Sequence, residues 1–270
     1  MSRTSKLRSH RVLVRLLLVV VSLSAILASG PVEAQTFTGM SGERNRITLG
    51  FQVKPEAVQA LLPAPWQLEA LAGGPFKGAN LLVAFIDRIR EDDPEGKARY
   101  GGTNPFVVLS APAKHPQTGQ TVTFLLCGFA SNPANVPGFY GVYRAATVSV
   151  EHATKSHGVD AEAVTDVWEV RDATGAGGVG LRLQSLLKVG ARTRDKGEPN
   201  VISAKDPSLR RIYKFDAATD VVKSISQGID RVQGYTFRLT VPEYGKLFDG
   251  SEQLIGITLM PWYMRQTFVR

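Results

Sequence analysis

Apolar and polar residues alternate along much of the chain with the period of a β-strand. Between Arg46 and Val53, the side chains of Ile47, Leu49 and Phe51 fall with Val53 on one face of a predicted strand. Further segments rich in β-branched and aromatic residues, separated by turn-forming residues, lie at 81–89, 105–109, 121–130, 140–152, 164–170, 179–189, 235–241 and 253–269. Many strands at this spacing favour a barrel or a sandwich over alternating βαβ units.

Two segments have a helical pattern instead. Pro55, which suits the first position of a helix, precedes apolar residues at helical spacing, and Pro63-Ala-Pro65 ends that helix. A second helix is predicted over 217–229, where four apolar residues share one stripe: Val221, Val222, Ile225 and Ile229. No repeat or linker marks a boundary. The pattern therefore predicts one α+β domain with a large, curved antiparallel sheet and a few short helices.

The N-terminal segment has the features of an export signal. Five basic residues lie between Arg3 and Arg15, an apolar run follows over 16–28, and Val32-Glu33-Ala34 fits the small-residue cleavage preference. The apolar run is too short for a comfortable membrane span. We expect a Sec-type signal peptide over 1–34, cleavage after Ala34, a mature domain over 35–270, and a periplasmic or secreted protein. An uncleaved N-terminal anchor is the alternative.

The composition is that of an ordinary globular protein, with 270 residues, 43% of them hydrophobic and 21% charged. The formal net charge of +8 at first suggests nucleic-acid binding. The predicted leader, however, holds five basic residues and one acid, so it contributes half of that net charge. The remaining charges are mixed, as in Arg88-Ile-Arg90-Glu91-Asp92-Asp93, which indicates a solvated surface. The single cysteine, Cys127, excludes an internal disulfide and is predicted to be an inert core thiol.

The short sequence motifs of this chain do not indicate a specific function. The run Gly175-Ala-Gly177-Gly-Val-Gly180 fits a dinucleotide fingerprint, but a strand pattern follows it, so we predict a glycine-rich hairpin turn. His152 and His157 lie near a predicted strand end without metal-ligand spacing, and no metal site is expected. Nucleophile-elbow and P-loop motifs are absent from the sequence.

The order of elements resembles the acetoacetate decarboxylase-like family. The most specific match is Arg44-Asn-Arg46-Ile-Thr-Leu-Gly-Phe51 followed by Pro55-Glu-Ala-Val-Gln-Ala-Leu-Leu-Pro63-Ala-Pro65, which is similar to that family's strand, short helix and turn. Weaker matches are the strand at 80–88 and the segment 132–147, where a loop containing proline and glycine enters the family's catalytic region. The resemblance implies a cone-like β-barrel with an internal pocket and covers most of residues 44–270.

The resemblance also implies Schiff-base chemistry by a lysine with a lowered pKa, and the chain departs from the family at this point. The family's lysine pair falls at Arg144, Ala145 or Ala146, and arginine cannot form an imine. The pocket acid falls near Arg99 and Tyr100, where Glu95 is the nearest acid. Arg44 alone matches a pocket residue, an arginine suited to a carboxylate.

The sequence therefore predicts an exported protein that binds, and in one hypothesis turns over, a small organic acid or carbonyl compound in a barrel pocket, with no cofactor. Arg44 and Arg144 are the predicted cationic anchors, and Tyr140 and Tyr143 the predicted hydrogen-bonding walls. All four could instead have structural roles.

Two other hypotheses about the function stay open. A lyase could use a relocated lysine, for which Lys188 has the best apolar neighbours, whereas Lys114 and Lys155 lie in polar turns. A noncatalytic, lipocalin-like barrel for apolar ligands, or an envelope assembly module, is the other class. Oligomerisation is left open.

Overall fold

The computed structural model describes residues 35–134, 138–158, 161–172 and 179–269. The predicted signal peptide and most of the predicted glycine-rich turn lie outside the described residues. Residues Phe37–Val269 form one compact unit. No helix among the described residues has the length and apolar character needed to cross a membrane.

Seven strands close into a barrel. Their order around the ring is β5, β10, β11, β14, β1, β3 and β4, and a pairing between β4 and β5 completes it. All described pairings in the ring are antiparallel except that of β5 with β10, which is parallel. The ring strands are β1 (Thr36–Gln52), β3 (Leu81–Asp92), β4 (Asn104–Lys114), β5 (Thr121–Ala130), β10 (Asn200–Ser203), β11 (Arg210–Ser224) and β14 (Gln253–Val269).

A second sheet continues from the barrel wall. Its first strand pairs in parallel with the end of β5, and its later strands pair antiparallel, in the order β6, β7, β8 and β13. These strands are β6 (Tyr143–His157), β7 (Ala161–Asp172), β8 (Val179–Lys188) and β13 (Val232–Leu239). The short strands β2 (Gln67–Leu68), β9 (Thr193–Gly197) and β12 (Ile229–Asp230) attach at the edges.

Helical structure is sparse among the described residues. The helix α1 (Pro55–Gln59) begins at its proline and buries Val58, as the sequence predicted. Three 3-10 turns lie at Gly138–Tyr140, Ile225–Gln227 and Pro242–Leu247. The prediction of an α+β barrel with a few short helices is therefore confirmed.

Strand β1 shows why the barrel wall tolerates both polar and apolar residues. Ile47, Leu49 and Phe51 are buried on its outer face in the main apolar core, which also takes in the second sheet. The ring of Phe51 lies 5.4 Å from that of Phe237 on β13. The alternate residues of β1 face the barrel interior. Because both faces of this wall are covered, the polar residues on its inner face are enclosed rather than solvated.

The predicted second helix is wrong. Residues 217–224 belong to β11, which pairs with β14 along most of its length. Register shifts between Ala218 and Asp220, and between Val221 and Lys223, interrupt the strict alternation of that strand. Such bulges place two successive residues against one partner, so Val221 and Val222 imitate a helical stripe in the sequence. Only Ile225–Gln227 is helical there, as a single 3-10 turn.

Candidate ligand-binding site

The barrel encloses a cavity of about 200 Å³ to which all seven strands contribute. Much of its wall is apolar, because inward positions of β3, β4, β5 and β10 carry aliphatic and aromatic side chains. Two arginines, Arg46 and Arg265, are the charged side chains that line it. The apolar wall consists of Leu82, Ala84, Ile86, Phe106, Val108, Leu125 and Val201, and the hydroxyl-bearing wall of Thr48, Ser110, Thr123, Tyr143, Tyr213 and Tyr263.

A buried carboxylate organises the arginines at this cavity. Glu43 on β1 is fully buried and accepts contacts from three guanidinium groups. Arg46 lies 3.2 Å from it, Arg88 on β3 lies 3.3 Å away, and Arg265 on β14 lies 3.9 Å away. Arg88, which is itself fully buried, also binds Glu91 at 2.6 Å. Three arginines on two carboxylates leave this cluster with an excess of positive charge.

The electrostatics of the cluster keep Glu43 ionised. Burial alone would raise the pKa of Glu43, but the positive charges of Arg265, Arg46 and Arg88, together with a hydrogen bond from Arg88, hold it below its ordinary value. Burial and the charge of Arg265 oppose the charge on Arg88, yet Glu43 and Glu91 raise the pKa of Arg88 above its usual range. Glu43 and Arg88 therefore both carry their charges at neutral pH.

Aromatic rings hold all three guanidinium groups in place, and that of Arg88 lies 4.9 Å over the ring of Phe106. Arg265 lies over the ring of Tyr213, 4.1 Å from its centroid, and Arg46 lies 4.8 Å over the ring of Tyr263. The buried Nε–H groups of Arg46, Arg88 and Arg265 have no hydrogen-bond acceptor in the part of the chain that the structure describes. The cluster thus has donors to spare for an anionic ligand.

Tyr213 is positioned from behind by another tyrosine. The hydroxyl of Tyr140, which is fully buried, lies 2.7 Å from the hydroxyl of Tyr213. Ser203 donates a hydrogen bond of 2.7 Å to the backbone carbonyl of Tyr140 and so fixes the 3-10 turn against β10. Tyr140 therefore acts on the cavity through Tyr213, which lines it, rather than by lining it directly.

The predicted residue Tyr143 does reach the cavity. It lies at the start of β6, next to Gly128 on β5, and its ring makes an edge contact with Phe106 at 5.8 Å between centroids. Burial raises the pKa of Tyr143, so its hydroxyl stays protonated near neutral pH and is able to donate a hydrogen bond.

The two predicted arginine anchors lie elsewhere. Arg44 lines a separate surface depression; its side chain is 54% exposed and its Nε lies 2.6 Å from Asp87. Arg144 binds Glu243 at 3.1 Å and is one third exposed. Neither lines the barrel cavity. The predicted contact of Arg44 and Arg144 with a ligand carboxylate stays a prediction, and the arginines that line the barrel cavity are Arg46 and Arg265.

Lysine does not line the barrel cavity, and among the described residues no lysine side chain is fully buried. Lys188 ends β8 on the exposed side of the second sheet, where alternate residues such as Leu187 face the core. Lys155 is exposed on β6, and Lys114 pairs with Glu69 at 3.6 Å. All three amines are exposed, whereas imine formation near neutral pH needs an amine in dry surroundings.

Two further sequence candidates have structural partners. His152 Nδ1 lies 2.7 Å from the buried carboxylate of Asp166, and within the described residues no group of His, Cys, Asp and Glu is arranged to hold a metal ion. Cys127 is buried on β5; burial, the largest effect, raises the pKa of its thiol to about 12, although a hydrogen bond with Tyr244 lowers it. The predicted burial of this thiol is confirmed, and its inertness stays a prediction.

Sequence reasoning missed the residues that form the charged cluster. Arg88 was assigned to a solvated surface with the acids that follow it, but it is fully buried, and that assignment is wrong. A signal for Arg46 was present, since it shares the period of Thr48 on the face opposite Ile47. In a closed barrel that opposite face is the interior. Glu43 and Arg265 meet only through the pairing of β1 with β14, which no local pattern reveals.

Sequence comparison finds no match, either to a protein-family model or to a curated protein. Solved structures do match. The enduracididine biosynthesis enzyme MppR, complexed with pyruvate, has a TM-score of 0.53 over 89% of this chain and 92% of that chain, at 8% identity. MppR with the condensation product of pyruvate and imidazole 4-carboxaldehyde has a TM-score of 0.53 over 86% and 88% of the two chains, also at 8% identity.

A third structure decides the name of the fold. An acetoacetate decarboxylase-like enzyme from Sphingomonas wittichii RW1 has a TM-score of 0.53 over 86% of this chain and 91% of that chain, at 11% identity. The chain has the acetoacetate decarboxylase-like fold. At such low identities the likeness establishes the fold alone. Within this acetoacetate decarboxylase-like barrel, the present chain carries arginines at the cavity, and activity has to be argued from those residues.

Proposed function

We propose that the barrel binds a small organic acid, whose carboxylate is held by Arg46 and Arg265. The observation that carries this proposal is the charge of the cavity wall: its charged side chains are both arginines, and their shared carboxylate, Glu43, is already divided among three guanidinium groups. An enclosed excess of positive charge is costly unless an anion accompanies it. Arginine also presents a planar set of donors that matches a carboxylate.

The rest of the cavity suits a short carbon skeleton. Apolar residues such as Phe106 and Val108 line much of it, and Tyr143 and Tyr213 add side chains that are able to form hydrogen bonds. A keto acid would present one carboxylate to the arginines and one carbonyl oxygen to a tyrosine hydroxyl. The complex of MppR with pyruvate supports a keto acid as the first ligand to test.

A binding experiment tests the proposal directly. Titration calorimetry with pyruvate and with pyruvamide, its uncharged analogue, should give heat of binding for the acid alone. Arg46→Gln or Arg265→Gln should weaken pyruvate binding by tenfold or more, because a hydrogen bond to a charged group contributes about 1.5–3 kcal/mol.

Arg44→Gln is the matched control, since it removes the same charge from outside the cavity. Equal binding of the acid and the amide, or equal losses in Arg44→Gln and Arg46→Gln, would contradict the proposed site. A set of uncharged apolar ligands in the same assay distinguishes the lipocalin-like alternative.

Turnover through an imine is tested separately. Borohydride reduction in the presence of pyruvate or acetoacetate should leave the mass of the folded protein unchanged. The reason is that Lys188, the lysine with the most apolar sequence neighbours, is exposed in the structure. A stable mass increase that disappears in Lys188→Arg would restore the lyase hypothesis.

We also propose that the chain is exported and cleaved after Ala34. The basic segment ahead of the apolar run, and the small residues that follow the run, support this proposal. N-terminal sequencing of the protein from cell fractions checks it. Gln35 as the first residue in the periplasmic or medium fraction is the expected result, and an intact N-terminus in the membrane fraction would favour the uncleaved anchor.

A further inference from the structure

A second, smaller cavity adjoins the barrel cavity at its charged end. This mouth pocket has a volume of about 120 Å³, and Tyr213 and Arg265 line it as well as the barrel cavity. The two cavities therefore meet at these two side chains. Their combined volume lies near the lower end of the ~300–1,000 Å³ found for ligand pockets.

The mouth pocket is strongly cationic. It is lined by Arg88, Arg99, Arg211 and Arg265, against a single carboxylate, that of Glu91. Glu91 is already engaged, since it lies 2.6 Å from Arg88 and 3.9 Å from Arg99. The pocket thus adds two arginines, Arg99 and Arg211, to a cluster that already has an excess of positive charge.

Arg211 has the greatest capacity for a new partner. Its guanidinium lies 3.6 Å over the ring of Phe139, and no carboxylate of the described residues pairs with it. Its neighbour on β11, Arg210, does not line the mouth pocket, whereas Arg211 does, as does Tyr213 two residues further along the strand. Partial burial lowers the pKa of Arg211 from its ordinary value.

We infer that the ligand of this barrel is a small dicarboxylate, whose first carboxylate lies at Arg46 and Arg265 in the barrel cavity and whose second lies at Arg211 and Arg99 in the mouth pocket. This inference rests on the proposed binding of an organic acid. Arg265 lies between the two positions and lines both cavities. A monocarboxylate would compensate the inner arginines and leave Arg211 without an anion and Arg99 with only a share of Glu91.

The experiment compares acids of equal size that differ in one charge. Calorimetric titrations at low ionic strength use succinate against succinamate, and glutarate against glutaramate. In at least one pair the dicarboxylate should bind about tenfold tighter or more, equivalent to about 1.4 kcal/mol. Arg211→Gln should reduce the affinity of the dicarboxylate to that of its half-amide and leave the half-amide unaffected.

Arg210→Gln is the matched control, because it removes the same charge from the adjacent residue and should preserve the preference. Arg211→Lys should keep part of the preference, and Arg99→Gln repeats the test should Arg211→Gln fail to fold. Equal binding within both pairs, or an equal loss for both acids in Arg211→Gln, overturns the dicarboxylate inference alone. Failure of every acid, pyruvate included, to bind the wild-type protein overturns the proposed function together with it.

Discussion

The ring of Tyr143 occupies the space that a side chain at position 128 would fill. A β-carbon built on Gly128 would lie 2.5 Å from Tyr143 Cδ1 and 2.9 Å from the backbone carbonyl oxygen of Val107. Gly128 pairs directly with Tyr143 where β5 meets β6. The glycine therefore lets a tyrosine from the second sheet enter the barrel cavity, so the residue that lines the wall comes from a strand outside the ring.

Gly128→Ala should displace Tyr143 and disturb the cavity. Forcing an extra methyl group into this packed position is expected to destabilise the protein by about 1–3 kcal/mol, and ligand affinity should fall with it. Urea unfolding followed by tryptophan fluorescence measures the first effect, and calorimetry with pyruvate measures the second.

Gly245→Ala serves as the control, because a β-carbon there meets no atom within 4 Å. In a Tyr143→Ala background the cost of Gly128→Ala should be smaller, since one of its two clashes is removed. Strictly additive effects of the two substitutions would contradict this account of the contact.

Removal of the charge on Glu43 should be among the most damaging single changes. Glu43→Gln leaves three buried or partly buried arginines with Glu91 as their remaining carboxylate, and breaking a buried ion pair in this way costs about 3–5 kcal/mol. Denaturant unfolding of the purified variant is the measurement. Glu95→Gln, at an exposed position, should stay within about 0.5 kcal/mol of the wild type. A Glu43→Gln protein of wild-type stability would show that the cluster does not hold the strands together.

The same carboxylate should make the stability depend on pH in acid. The folded protein holds the pKa of Glu43 below its ordinary value of 4.5, so between these two values the unfolded chain binds more protons than the folded one. The stabilisation is complete above pH 4.5 and is lost as the pH falls through the lower, folded-state pKa. Unfolding free energies measured from pH 6 to pH 3 should decline in the wild type.

Glu43→Gln should show a shallower decline over that range. The part of the decline that remains is attributed to other carboxyls with lowered pKa, such as Asp216 beside Arg194 and Asp249 beside Lys54. Parallel curves for the two proteins would exclude Glu43 as a source of the acid sensitivity.

Cys127 should be unreactive in the folded protein. Its thiol is buried, and burial raises its pKa to about 12, so almost no thiolate forms at neutral pH. A thiol-specific chromogenic reagent should therefore react at pH 8 only after unfolding in guanidinium chloride, with one equivalent per chain. Rapid reaction of the native protein would mean that β5 opens readily beside the cavity.

Much of the outer layer of the fold was predictable from local pattern. The alternation of Ile47, Leu49 and Phe51 correctly predicted the apolar face of β1, and the strands expected at 121–130 and 253–269 match β5 and β14. Such alternation can be recognised in the sequence because one face of each strand packs on a large apolar core. Pattern failed in β11, where two register shifts made a strand resemble a helix.

The side of the barrel wall on which a predicted residue lies was harder to predict than the fold. The resemblance indicated an arginine on β1, but Asn45 adopts a positive φ of 49° at a register shift between Arg44 and Ile47. That irregularity separates Arg44, which lies outside the cavity, from Arg46, which lines it. The sequence therefore predicted an arginine on β1. Whether that arginine faces the inside or the outside of the barrel depended on a local backbone conformation.

The sequence by itself determined much of the strand content, the apolar face of β1 and the helix at Pro55. Tertiary structure alone decided which charges meet. Arg46, Arg88 and Arg265 are far apart in the chain, and only closure of the ring brings them to one carboxylate, Glu43. The physical reason is that hydrophobic periodicity is a local property, whereas burial of a charge depends on what lies across the barrel.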